Sequence, residues 1–164
     1  MSRRRRALVP LVGLAMGLGL GLACGDGYEC GPSDAVVERV IDGDTVLLDT
    51  GDRVRYLLVD TPEVTGDPEC FGPEASDFNR SIVEGQKVHL SYDTECTDAY
   101  DRLLAYVTLP NGRVINELLL ERGFACVLHI PPNGDDRADE YERIEEEAQA
   151  GLVGMWGQCV EASC

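Results

Sequence analysis

Basic residues are scarce in this chain, and lysine is nearly missing. Against 30 Asp and Glu there are only 14 Lys and Arg, a formal charge of -16, and Lys87 is the single lysine. A field of that sign repels polyanions, so any function directed at phosphate has to come from a local site and not from bulk charge. Histidine is as rare. His89 and His129 lie far apart and no Cys-x-x-Cys pair occurs, which argues against a zinc cluster of ordinary ligand spacing. Beyond residue 34 there is no repeat and no low-complexity linker. The length of 164 residues, 44% hydrophobic and 27% charged, suits one domain with a real core and disfavours wholesale disorder.

The long uncharged run is at the amino terminus. Arg3, Arg4, Arg5 and Arg6 precede residues 7–23, rich in Leu, Gly, Val and Ala, and the run meets Cys24. A basic region, an apolar region and small residues in this order have the form of a signal peptide over 1–23. The run is short and broken by Gly and Pro for a membrane span, which is the competing reading. Leu22-Ala23-Cys24 resembles a bacterial lipoprotein signal, so a lipid anchor at Cys24 and export to the cell envelope or beyond are expected. Removing 1–23 would leave ten basic residues against 30 acids, a formal charge of -20. In an oxidising compartment Cys30, Cys70, Cys96, Cys126, Cys159 and Cys164 then form an even set for up to three disulfides. Their order suggests that Cys30 and either Cys159 or Cys164 fasten the two ends, leaving interior cysteines to join loops.

Residues 24–34 read as a short tether, 35–157 as the folded domain and 158–164 as a cysteine-containing tail. Runs at 35–41, 45–49 and 53–59 are β-rich and are separated by Asp42-Gly43-Asp44 and Thr50-Gly51-Asp52, which predicts a three-stranded meander. Helical spacing takes over from 73 to 83, with Pro73 in the first turn and Ala75, Phe78 and Ile82 on one face. Further strands are expected at 87–92 and 103–109, and a helix at 114–121 closed by Gly123. After an apolar run at 124–130 and the breaker Pro131-Pro132-Asn133-Gly134, Asp135 and Asp136 are candidate caps for a last helix. Its stripe would be Ala138, Tyr141, Ile144, Ala148 and Leu152. The pattern is α+β, mainly β: a small barrel of five strands with about three helices.

Acids and arginines gather at the strand ends. Asp42 and Asp44 bracket one turn, Asp60 and Glu63 end the third strand, Arg55 lies five residues before Asp60, and Arg102 opens the fifth strand. Carboxylates on neighbouring strand ends suit a hard divalent cation, and an arginine beside them offers phosphate a bidentate fork that lysine does not. Taken singly, each of these features is compatible with a hairpin turn or a surface ion pair.

Together they carry a resemblance. Val40-Ile41-Asp42-Gly43-Asp44-Thr45-Val46, Arg55-Tyr56-Leu57-Leu58-Val59-Asp60-Thr61-Pro62-Glu63, Gly72-Pro73-Glu74-Ala75-Ser76, Tyr100-Asp101-Arg102-Leu103-Leu104-Ala105-Tyr106, Val114-Ile115-Asn116-Glu117-Leu118 and Glu147-Ala148-Gln149-Ala150 follow the order and spacing of the thermonuclease, or staphylococcal nuclease-like, family. The resemblance runs from about residue 35 to Trp156. It implies a five-stranded OB-fold barrel with three helices and a calcium-dependent endonuclease acting on single- or double-stranded DNA or RNA, here expected to be a monomer. It implies Asp44, Asp60 and the carbonyl of Thr61 as Ca2+ ligands, with Asp42 a weaker ligand through water. It also implies Glu63 as general base and Arg55 and Arg102 as the grip on the scissile phosphate.

Departures from the family pattern bear on substrate capture. The two tyrosines of the family's nucleotide-holding strand are replaced by His129 and Pro131, and His129 is either a substitute phosphate donor or an ordinary partly buried strand histidine. The family's lysine-rich loop becomes the acidic Val64-Thr65-Gly66-Asp67-Pro68-Glu69-Cys70, and a glycine becomes Asp101 beside Arg102. These changes weaken electrostatic capture and leave the proposed metal ligands in place. The alternative expectation is a catalytically weak or inactive nuclease-fold binding module on the cell surface.

Overall fold

The computed structural model describes residues 30–162 and 164, so the signal-like segment and Cys24 lie outside the described residues. Seven strands and four helices follow in chain order: β1 Asp34–Val40, β2 Thr45–Leu48, β3 Arg53–Tyr56, β4 Leu58–Asp60, α1 Gly72–Val83, β5 Lys87–Thr97, β6 Leu103–Thr108, α2 Ile115–Glu121, β7 Cys126–Leu128, α3 Ala138–Ala150 and α4 Met155–Gln158. β1, β2, β3, β6 and β5 close into a barrel, with β3 and β6 paired in parallel and the other neighbours antiparallel. This is the five-stranded architecture expected of an OB-fold. Alternation along the strands fills its interior with Val37, Val46, Leu48, Val54, Val88, Leu90, Ala105 and Val107, all buried.

The expected third strand does not run unbroken from 53 to 59. It breaks at Leu57, and Leu58 takes a left-handed φ of 61°. Two contacts remote in sequence hold the break: Leu57 N–H donates to the carbonyl of Ala105 at 3.0 Å, and the buried Asn116 Nδ2 donates to the carbonyl of Leu57 at 2.9 Å. β4 then leaves the barrel and pairs antiparallel with β7, Asp60 opposite Cys126. In an unbroken strand Arg55 and Asp60 would point to opposite faces, because side chains alternate with a period of two. The one-residue irregularity brings them to the same side.

β5 extends to Thr97, well past the expected end at 92. The polar stretch 93–97 lacks apolar alternation and is held from outside: Asn133 exchanges two hydrogen bonds with the Glu95 backbone, at 2.7 and 2.9 Å, and Cys96 is bonded to Cys30. The three phenylalanines form one cluster, with Phe124 5.5 Å from Phe71 and stacked on Phe78 at 4.6 Å, and so pack α1 against the segment before β7.

Helix α3, expected as the last one, begins at Ala138, with Arg137 at its N-cap and no side-chain cap. Asp135 is drawn away because its carboxylate takes Nε2 of His129 at 2.8 Å. Leu152 lies past the helix and is exposed, so the apolar stripe ends at Ala148. Gly123 follows α2 at φ 65°, as its C-cap role requires, and the short α4 was not anticipated. The cysteines pair as Cys30–Cys96, Cys70–Cys159 and Cys126–Cys164. Cys30 therefore does not join the carboxyl-terminal pair. The barrel brings it against β5 instead, and the tail is stapled to the Glu63 loop and to β7.

Candidate active site

The seven residues that the resemblance assigns to metal or catalysis line one polar cleft of about 170 Å³: Asp42, Asp44, Arg55, Asp60, Thr61, Glu63 and Arg102. The β1–β2 turn forms its floor. Asp42 Oδ1 accepts the N–H of Asp44 at 3.1 Å, so the first acid shapes the turn that presents the second. Gly43 marks the tight turn between the two strands, and its lack of a side chain has a further use. It lies flat against Thr61, and a Cβ there would fall 2.4 Å from Thr61 Oγ1 and 2.7 Å from Thr61 Cβ. The missing side chain lets the turn and the end of β4 touch.

Asp44 is 5% exposed and fully engaged. Its Oδ2 accepts from the N–H and the hydroxyl of Thr61 at 2.9 and 3.0 Å, and its Oδ1 from Thr45 Oγ1 at 3.0 Å and Arg55 Nε at 3.1 Å. Arg55 is the hub. Its Nη1 donates to the carbonyls of Tyr56 and Val59 at 3.0 and 2.5 Å, and its Nη2 to Asp60 Oδ1 at 2.5 Å. The guanidinium thus fills the bend at Leu57 and joins two carboxylates. Asn79, buried on α1, accepts from the hydroxyl of Tyr56 at 3.1 Å and donates to the carbonyl of Asp42 at 3.4 Å, which ties the helix to the floor.

Crowded carboxylates show in their proton affinities. Burial, then the neighbouring Asp44, pushes Asp42 up to about 6. Burial also raises Asp60 above its ordinary value, against the opposing pull of Arg55. Among the described residues no group of three or more His, Cys, Asp or Glu is gathered to enclose a metal ion as the side chains stand, since Arg55 sits between Asp44 and Asp60. The donor set nevertheless fits a hard divalent cation: it consists of carboxylate oxygens, and beyond the larger effect of burial the carboxylates of Asp42 and Asp44 lie close enough for Asp44 to raise Asp42.

Arg102 enters from the β5–β6 connection. Its Nε donates to Asp98 Oδ2 at 2.6 Å, and Asp98 Oδ1 accepts the N–H groups of Tyr100 and Arg102 at 2.9 and 3.0 Å. Burial would raise Asp98, but these donated bonds outweigh it and hold the carboxyl below its ordinary value. Asp98 is the member of the site whose part the sequence reading did not assign, and its i, i+4 spacing to Arg102 is the only local signal of it. Asp101, exposed, sits at φ 58°, a left-handed position that glycine takes without cost.

A second cavity of about 370 Å³ shares Arg55 and Arg102 with the first and is walled by Leu57, Leu58, Leu104, Leu128 and Ile130. Leu128, at the end of β7, and Ile130 just past it line this cavity, while His129 between them bonds to Asp135. His129 therefore lines neither cavity, and its expected place as a phosphate donor is not realised.

A model of the family described as staphylococcal nuclease homologue matches residues 53–158. The thermonuclease of Staphylococcus intermedius is 39% identical over 132 residues, covering 74% of each chain. Two proteins of Bacillus subtilis (strain 168), the SPbeta prophage-derived endonuclease YokF and endonuclease YncB, are 34% and 36% identical over 132 residues, 76% of this chain. The match spans 44% and 62% of the length of those two proteins, so this chain corresponds to part of each.

Proposed function

The chain belongs to the staphylococcal nuclease family, and from that premise we propose that it is an exported, calcium-dependent endonuclease that hydrolyses phosphodiester bonds of DNA or RNA. The observation that carries this reading is the single cleft in which two guanidinium groups face a floor of carboxylates. A phosphodiester is already an anion, and attack by water places further charge on its oxygens. Arg55 and Arg102 stand on the wall shared by the two cavities, where a phosphate would meet both. Among the described residues the terminal nitrogens of Arg102 take no protein acceptor, so they remain for phosphate oxygens, while Asp98 keeps the fork oriented through Nε.

Glu63 is exposed at the mouth of the cleft, within the same lining as the arginines, and takes the proton of the attacking water. Asp44, Asp60, the carbonyl of Thr61 and, through water, Asp42 would hold Ca2+. When bound, such an ion offsets the charge repulsion between nucleophile and phosphodiester. The apolar second cavity receives a nucleobase or sugar face against aliphatic side chains. Export is supported by the signal-like 1–23 segment and by three disulfides, which persist in oxidising compartments.

The test is digestion of single-stranded DNA by the purified protein in Ca2+ and in chelator. Cleavage that needs Ca2+ and falls at least about 100-fold in Arg102→Ala, with an unchanged melting temperature, is the expected result. Cleavage that survives chelation overturns the calcium reading. Calcium binding without turnover would favour the binding-module alternative, motivated by His129 and Pro131 in place of the family's two tyrosines and by the acidic charge.

A further inference from the structure

Residues 64–70, acidic and closed by a cysteine, join Glu63 to α1. Thr65, Gly66, Asp67 and Pro68 are exposed, so little packing holds this loop. The backbone of Glu63 is nevertheless fastened on both sides. Its N–H donates to Glu69 Oε2 at 2.9 Å, and the N–H of Glu69 donates back to the carbonyl of Glu63 at 2.9 Å. The carbonyl of Glu69 in turn accepts the N–H of Gly72 at 3.1 Å. Gly72 is buried directly against Glu63, where a Cβ would come within 2.4 Å of the Glu63 carbonyl oxygen.

The next residue, Cys70, is bonded to Cys159 across 89 positions of sequence. Cys159 ends α4, whose Met155 is fully buried and donates its N–H to the carbonyl of Gly123 at 2.9 Å. The loop is thereby anchored to the core through a covalent bond. A proton acceptor on an exposed loop needs such support, because a misplacement of about 1 Å can cost roughly 100-fold in rate.

We propose that Glu69 and the Cys70–Cys159 disulfide form a positioning clamp that fixes the backbone of Glu63 at the mouth of the cleft. The clamp rests on the reading of Glu63 as general base. Glu69 acts through Glu63 and touches no substrate. Its carboxylate accepts a backbone N–H with the added strength of a charge-assisted bond, and the disulfide keeps that carboxylate within reach.

Steady-state kcat and KM on single-stranded DNA in Ca2+ test this. Glu69→Ala is expected to lower kcat about tenfold with KM within about twofold, because the base is misplaced while phosphate binding is untouched. Glu69→Gln, which keeps an acceptor oxygen, is expected to restore kcat to within about threefold of the parent. In the Glu63→Gln background the Glu69→Ala change should have no further effect, and Cys70→Ser/Cys159→Ser should lower kcat as Glu69→Ala does. The Glu69 substitutions leave all three disulfides in place, so they decide the matter even where the cysteine variant folds poorly. A slow Glu63→Gln beside an unaltered Glu69→Ala, or losses that multiply in the double variant, overturns the clamp and leaves the base reading standing. A Glu63→Gln protein of full activity removes the base reading and the clamp with it.

Discussion

Arg55→Ala should unfold the site before it tests catalysis. The Arg55 side chain is 12% exposed and that of its partner Asp44 7%, so truncation leaves a buried carboxylate without its cation. Breaking a buried pair from one side costs about 3–5 kcal/mol, chiefly the desolvation of the orphaned charge. The bond to Asp60, whose side chain is 34% exposed, adds no more than about 1 kcal/mol after solvent screening. The carbonyls of Tyr56 and Val59, at the bend that aims β4, lose their donor as well. A total near 4 kcal/mol corresponds to a fall in melting temperature of roughly 10–20 °C for a domain of this size. Urea unfolding in chelator measures it directly. Arg55→Lys keeps the charge and loses the fork, so it should recover about half of the loss. Adding Asp44→Asn to Arg55→Ala should recover about 1–2 kcal/mol, because the orphaned charge disappears while an oxygen remains to accept from Thr61. A cost below about 1 kcal/mol for Arg55→Ala, or no recovery on neutralising Asp44, would refute the view that Arg55 holds the carboxylates together.

Other substitutions probe the geometry more narrowly. Gly43→Ala drives a methyl group into Thr61 and should cost about 1–3 kcal/mol while lowering kcat, and a crystal structure with the Thr61–Asp44 bonds unchanged would contradict it. Asp101→Gly relieves a left-handed backbone and removes a carboxylate next to Arg102, so KM for DNA at low salt should fall and stability rise by up to about 1 kcal/mol; a higher KM would count against it. In chelator, the stabilisation contributed by Asp42 is fully present below its ordinary value of 3.8 and is lost as pH rises through about 6, because the folded state raises this acid. The melting temperature should therefore carry a component that declines from pH 4 to 7 and vanishes in Asp42→Asn, whereas Asp98, held low, contributes the opposite slope in the acid range. An identical profile in Asp42→Asn would rule this out.

Much of the barrel and the membership of the cleft were legible in the chain alone. Alternating apolar residues at 35–41, 45–49 and 103–109 specify strands with one buried face, and the turn residues between them set the order in which those strands meet. The acids and arginines at the strand ends then converge because a closed barrel brings these ends together, and all six line one cleft with Thr61. Helix α1 was legible for the same local reasons, namely its first-turn proline and its spacing.

Other features depended on partners far away in sequence. The break at Leu57 exists because Ala105 and Asn116 take up its backbone groups, and nothing within 53–59 announces it. His129 stays out of the cleft because, just past the end of β7, it bonds to Asp135, while Leu128 and Ile130 line the second cavity. The extension of β5, the pairing of the cysteines and the hold of Glu69 on Glu63 likewise follow from which surfaces meet when the barrel closes. Sequence by itself determined the elements and the chemistry they carry, since propensity and periodicity act over a few residues. Tertiary structure decided the aim of each side chain, because a hydrogen bond or a disulfide across dozens of residues forms only after the chain has folded back upon itself.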